Sequence, residues 1–329
     1  MDSFLFALGA IAPIVLLVLV GYFLKKLGFM NDKFSRDANK LVFRIFMPVM
    51  LFLNIYRMND LSNVSFGFMA FTVIALLLIF FISIPASIAV AKKKDRRGVL
   101  VQAAFRSGYS LIGIPLAQSL YGEEGAMAAS LLSAAAIPLF NVLAVISLTA
   151  LGNDDGKKKS VGSIVLDIVK NPLIIGIAAG LVALGIRAIF TEVGIGFRLS
   201  NIAPLMTVIQ YLSNLAIPLA LLVLGAQFEL SAVAALRREI IFGVLVRTVI
   251  VPAVTLSVAY FIFRDRFTAA QFAALVAVFA TPVAVPSVPM VQELGGDLTL
   301  AGQLVVWSTL VSAVTVFLVT FLLRMGGAF

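Results

Sequence analysis

Residues 66–91 run for twenty-six positions without one charged side chain. A stretch of about 20 apolar residues suffices to cross a lipid hydrocarbon layer. In lipid the backbone must satisfy its own hydrogen bonds, so such a stretch folds as a helix. Nine similar runs accompany it, giving predicted spans at 4–24, 38–57, 66–91, 98–120, 125–151, 172–190, 204–226, 239–263, 268–294 and 298–325. The chain is 61% hydrophobic and 12% charged, where a soluble domain carries about 25% charge. The sequence therefore specifies an all-α integral membrane protein. The first run is read as a retained helix and not a leader, because Lys25 and Lys26 follow it and Asp2 precedes it.

The net charge of +9 is organised by topology and does not point to nucleic acid. Of the 25 lysines and arginines, sixteen fall in the loops after odd-numbered spans and six on the opposite side. Positive residues favour the cytoplasm, which places Lys92–Lys94 and Lys157–Lys159 there and both termini outside a cytoplasmic membrane. With no cysteine and no histidine, thiol chemistry, imidazole metal sites and a histidine proton relay are excluded. No cofactor is expected, and no enzyme activity: without a buried acid pair there is little to build catalysis from.

The chain repeats itself. PLAQSLYGE (115–123) and PMVQELGGD (289–297) share the pattern P-x-x-Q-x-L-x-G followed by an acid, and MPVMLF (47–52) pairs with IPLALL (217–222). Each half, 1–151 and 172–329, then holds five spans around a linker at 152–171. Five is odd, so the second repeat inserts upside down. Inverted repeats with interrupted helices are a plan of secondary transporters.

The interruption is written into spans four and nine. Residues 280–297, ATPVAVPSVPMVQELGGD, carry Pro282, Pro286 and Pro289 within eight positions, and the aligned window SGYSLIGIP carries Gly108, Gly113 and Pro115. Proline removes a donor and clashes with the preceding turn, and irregular backbone at membrane depth is tolerated only where protein or a water-filled cavity covers it. Two aligned breaks predict half-helix ends converging near the midplane, their N-termini suited to a carboxylate. Pro282 and Pro286 are expected in the break itself, and Pro289 at the start of the following half-helix.

Three arginines, Arg44, Arg106 and Arg247, lie inside spans, whereas every Asp and Glu falls in a loop or near a span end. A positive interior without carboxylates favours an anionic substrate. Arg106, beside the break, is the leading candidate; Arg44 is equally well explained by snorkelling to the surface. Asn54, Asn141, Gln210, Tyr211 and Asn214 are candidates for lining, and Asn214, four residues before Pro218, is preferred among them. Without a buried acid, any coupling would use backbone carbonyls, a peripheral acid such as Glu123 or Asp297, or the substrate's own proton.

Two stretches resemble the auxin efflux carrier family, which includes bacterial organic-acid permeases and plant PIN-type auxin carriers. They are TPVAVPSVPMVQELGGDLTLAGQLVVWSTLVSAVT (281–315) and FRSGYSLIGIPLAQ (105–118). The resemblance covers the whole chain. It implies ten helices in two inverted five-helix repeats, similar to sodium/proton antiporters and bile-acid symporters, with broken helices four and nine crossing at the substrate site. It also implies a scaffold from helices 1, 2, 6 and 7, a mobile transport domain from helices 3–5 and 8–10, a homodimer through the scaffold, and an elevator mechanism. Implied substrates are malate-, malonate- or auxin-like organic anions.

The residues and the resemblance together select a substrate-contacting set. It comprises Arg106, Ser107, Gly108, Tyr109, Ser110 and Gly113 in span four, Thr281, Pro282, Val283, Pro286 and Ser287 in span nine, and Asn214. The helix-breaking residues are Gly108, Gly113, Pro115, Pro282, Pro286 and Pro289. The partners are the anion and membrane lipid. An anion channel or a transporter-like anion sensor is the alternative, disfavoured by the lack of a pore-lining charged ring or an added signalling domain.

Overall fold

A computed structural model describes residues 2–58, 65–152 and 161–328. The Lys157–Lys159 cluster, and the predicted linker from 153 to 160, lie outside them. The described chain is helical, with one isolated β-bridge between Ser107 and Val283. The helices are α1 (Asp2–Lys26), α2 (Asp32–Tyr56), α3 (Phe66–Val90), α4 (Lys94–Phe105), α5 (Tyr109–Leu151) and α6 (Val161–Val169). They continue with α7 (Pro172–Glu192), α8 (Ala203–Ala226), α9 (Ala232–Phe263), α10 (Ala269–Phe279), α11 (Ser287–Leu294) and α12 (Leu298–Met325). Among the described residues, seven helices are long and apolar enough to cross a membrane: α2, α3, α5, α7, α8, α9 and α12. This is a multi-pass membrane protein.

The helices differ from the ten spans expected of the sequence in instructive places. Spans four and nine are not continuous helices: α4 gives way to α5, and α10 to α11, across non-helical gaps. Spans four and five meet within α5 at a sharp break, where Tyr121 (φ −143°, ψ 34°) and Gly122 (φ 59°, ψ −151°) leave helical geometry between the expected span ends at 120 and 125. Only glycine takes that second conformation without strain. Within the expected linker, residues 161–169 form α6.

Three helices contain a widened π turn, at Val42–Phe46, Tyr109–Gly113 and Val246–Ile250. Each ends two residues before a proline: Pro48, Pro115 and Pro252. A proline ring collides with the carbonyl four residues back and offers no donor. The wide turn relieves that clash locally and lets the helix continue through the bilayer.

Helix ends are set by side chains the sequence supplies. Asn31 accepts from Phe34 N at 2.8 Å, Asn171 from Leu173 N at 2.9 Å, and Asp297 from Leu300 N at 2.9 Å, starting α2, α7 and α12. Packing falls into two neighbourhoods. In one, α2 lies against α7 and α8, and α1 against α8. In the other, α10 lies against α5, α4 against α3 and α5, and α12 against α9; α1 also touches α12. The α1–α8 contact is backbone on backbone: a Cβ on Gly21 would sit 2.0 Å from Leu222 O, and one on Gly225 1.9 Å from Val18 O. Small residues make such contact possible where lipid removes any hydrophobic drive between helices. Large apolar side chains such as Phe81, Ile82 and Phe261 correspondingly face outward.

Candidate functional site

The two gaps meet. Arg106 and Ser107 follow the last turn of α4 in extended conformation, and Ser107 forms an antiparallel bridge with Val283. Gly108 N donates to Pro282 O at 2.8 Å, and Ala284 N donates to Arg106 O at 3.2 Å. Val283 N finds its acceptor on α12, in Ser308 Oγ at 3.1 Å. Donors and acceptors that two continuous helices would have satisfied internally are thus satisfied between breaks, as the absence of water demands. The W-S-T run of the last span has a function here: Ser308 ties down the second break, while Thr309 reaches the cavity beside it.

That cavity, about 50 Å³, is lined by Arg106, Ser107, Gly108, Tyr109 and Ser110 from the first break and by Val283 to Pro286 from the second. Asn141, Asn54 and an apolar wall including Met50, Ile137, Phe140 and Ile217 complete it. Ser110, Leu111, Met50, Asn54 and Ile217 are shared with a much larger vestibule of about 830 Å³. The vestibule runs on between α1, α2 and α8 to Arg57, Gln210 and Asn214. The small cavity and the larger vestibule therefore adjoin, and both linings are mostly apolar.

The three intramembrane arginines have three different fates. Arg44 is two-thirds exposed and pairs with Glu293 through Nε at 3.1 Å. Arg247 is fully buried, away from the cavity lining, and spends its donors on backbone carbonyls. Arg106 is 4% exposed and faces the cavity. It donates to Asn141 Oδ1 at 2.9 Å and to the Met290 sulfur, and among the described residues no carboxylate pairs with it. Its neighbour Ser107 has a buried hydroxyl without a hydrogen-bond partner among the described residues, as does Ser287. Buried polar groups are normally satisfied, and each exception asks for an explanation.

Of the other residues expected to contact substrate, several serve the frame. The Tyr109 hydroxyl donates to Ala129 O, so its proton is already committed within the frame. The Thr281 hydroxyl donates to Ala277 O at 2.8 Å, and neither Thr281, Pro282, Ser287 nor Gly113 lines the cavity. Gly113 instead lets α5 touch α10, since a Cβ there would lie 2.7 Å from Ala277 O. Pro115 and Asn214 line the vestibule, and Asn214 accepts from Gln210 at 2.7 Å. Pro286 caps α11 and Pro289 is its third residue, where no helical donor is lost. Met290 and Thr309 escaped the sequence reading altogether; nothing in an apolar run marks which methionine or threonine will meet a guanidinium or a cavity.

Polar contacts close the lysine-bearing end of the bundle. Asn39, fully buried, donates to Gln292 Oε1 at 2.8 Å and Gln227 Oε1 at 3.1 Å, and Gln292 donates to Arg36 O at 3.1 Å. With the Arg44–Glu293 pair, these bind the end of α11 to α2 and α8. Nearby, Arg96 pairs with both Glu239 and Asp297 at 2.8 Å. Burial by itself would lower the Arg96 pKa; the two carboxylates outweigh it and hold the value above the ordinary arginine range.

Paired helix breaks beside a buried arginine, inside a bundle of apolar helices, are a plan that recurs among membrane transport proteins. Comparison with known proteins makes this specific. The model of the membrane transport protein family matches residues 6–320, and the chain belongs to that family. It is 32% identical over 219 residues to an uncharacterized transporter of Methanocaldococcus jannaschii, covering 64% of this chain and 66% of that one. It is 24% identical over 315 residues to an uncharacterized transporter of Methanothermobacter thermautotrophicus, covering 93% and 94%.

Proposed function

We propose that this protein is a secondary carrier of small organic anions, whose carboxylate binds Arg106 in the cavity between the two helix breaks. The observation that carries this reading is the state of Arg106 itself. A buried guanidinium normally has a carboxylate partner, because taking an unpaired charge out of water costs several kcal/mol. Among the described residues no carboxylate pairs with Arg106, the Ser107 hydroxyl alongside has no hydrogen-bond partner among them, and both residues line the cavity that adjoins the vestibule. An anion supplies the charge and the acceptors together. The cavity admits a carboxylate head, and the organic body extends among Met50, Leu111 and Ile217 toward Asn54 and Asn214.

Transport in this reading is of the elevator type. Helices α1, α2, α7 and α8 act as scaffold and dimer contact, and the helices around α5 and α10 carry the site. Support comes from the two packing neighbourhoods and from the polar contacts of Asn39, Gln292, Arg44 and Glu293 that join them at the lysine-bearing end. With that end cytoplasmic, as the charge distribution favours, the conformation is closed inward, and the vestibule leads outward. Uptake of labelled malate, malonate and indole acetate into proteoliposomes is the test, with sodium and pH gradients imposed in turn. Saturable flux with counterflow is expected for at least one of the acids; substrate-independent ion conductance would establish a channel instead, and binding without flux a sensor.

A further inference from the structure

Arg247 projects from the π turn of α9 and is 0% exposed. Its Nε donates to Thr281 O at 2.8 Å. Its Nη1 donates to Ala104 O at 3.2 Å and Phe105 O at 3.4 Å, and its Nη2 to Val278 O at 2.8 Å and Phe279 O at 3.1 Å. Guanidinium has five N–H donors in a fixed plane, and all five are used. Ala104 and Phe105 end α4; Val278 and Phe279 end α10, and Thr281 follows in the gap. One side chain therefore holds the C-terminal ends of both half-helices that approach the breaks.

Those ends are where partial negative charge collects, since the last carbonyls of a helix have no intrahelical donor. In carriers with interrupted helices, unwound carbonyls and half-helix C-termini are also the place where a coupling cation is coordinated. We infer that Arg247 is a tethered cation standing in that place: a positioning residue that fixes the two breaks in register and leaves no seat for an exchangeable ion. A guanidinium is monovalent like sodium, but it cannot leave, so the positive charge at this point is constant through a transport cycle. Arg247 does not line the substrate cavity, and its effect on substrate passes through the backbone of Ala104 to Ser107 and Phe279 to Val283.

The test is the melting transition of the purified protein, followed by the fluorescence of its single tryptophan, Trp307, in sodium or choline chloride at matched ionic strength. Wild type is expected to melt at the same temperature in both. Arg247→Lys keeps a cation with three donors and is expected to melt between wild type and Arg247→Met, which keeps length without charge. Arg247→Ala is expected to recover a substantial part of its lost melting temperature with methylguanidinium, and none with tetramethylammonium. Saturable stabilisation of wild type by sodium would overturn the inference. So would Arg247→Met melting at or above Arg247→Lys, which decides the matter even if Arg247→Ala does not fold. Because melting requires no substrate, this outcome is independent of the carrier reading on which the coupling role rests.

Discussion

Replacing Arg106 by methionine should make the protein more stable and useless for binding anions. The wild-type guanidinium is buried with one neutral oxygen, Asn141 Oδ1, and one sulfur, Met290, as its partners. Burying an ion costs several kcal/mol even after relaxation, and a hydrogen bond from a charged donor to a neutral oxygen returns only about 1.5–3 kcal/mol. Arg106→Met removes the charge, retains most of the side-chain length and leaves Asn141 Oδ1 without its donor, while Asn141 Nδ2 keeps its bond to Ile137 O at 2.8 Å. The balance is a gain of about 1–3 kcal/mol. A bound carboxylate, by contrast, loses a buried charge partner, at about 3–5 kcal/mol, which weakens affinity by roughly two to three and a half orders of magnitude. Thermal melts with and without carboxylate read both effects: a higher baseline transition and no ligand-induced rise. If Arg106→Met melts below wild type, or still shifts with carboxylate, the guanidinium is a satisfied structural group and the reasoning fails.

The closed end of the bundle gives a second prediction. The chain has no cysteine, so Asn39→Cys with Gln292→Cys, joined by a short bifunctional thiol reagent, should abolish flux, whereas either single variant treated alike should not; undiminished flux in the joined protein would mean that α11 does not move against α2. Gly113→Ala should lose about 1–3 kcal/mol through overpacking, because its Cβ would lie 2.7 Å from Ala277 O and 2.8 Å from Tyr109 Cδ2. Gly108→Ala, whose Cβ would meet nothing nearer than 3.6 Å, should stay within about 0.5 kcal/mol of wild type, and equal melts for the two would refute the placement of Gly113. Ser308→Ala should cost about 1–3 kcal/mol by stranding the buried Val283 N–H and weaken carboxylate binding with it; an unchanged melt would show that the bridge does not depend on α12.

Much of the architecture is legible in the residues because its causes are local. The runs of apolar side chains admit no other solvent than lipid, and the windows at 107–115 and 280–289 announce their irregularity through glycine and proline, whose effects act on their own turn of chain. Even so, Gly113 and Pro115 proved to lie in the restart of α5 and not in its gap. The count of continuous helices also differs from the count of apolar runs, because a run such as span four breaks where Arg106 and Ser107 turn to extended backbone paired across the gap. The hydroxyls were harder: Ser107 and Ser308 flank the same bridge, yet one is unsatisfied beside a cavity and the other holds a backbone donor.

By itself the sequence determined that this chain is a helical membrane protein and that the segments at 107–115 and 280–289 carry helix-breaking residues. The meaning of the three arginines was decided only by tertiary structure. Arg44, Arg106 and Arg247 occur in similar apolar surroundings along the chain, but one reaches Glu293, one meets Asn141 and Met290, and one is enclosed by carbonyls from 104–105 and 278–281. A charge in a low-dielectric interior takes its energy from whatever lies within a few ångströms, and those neighbours come from helices more than thirty residues away in sequence.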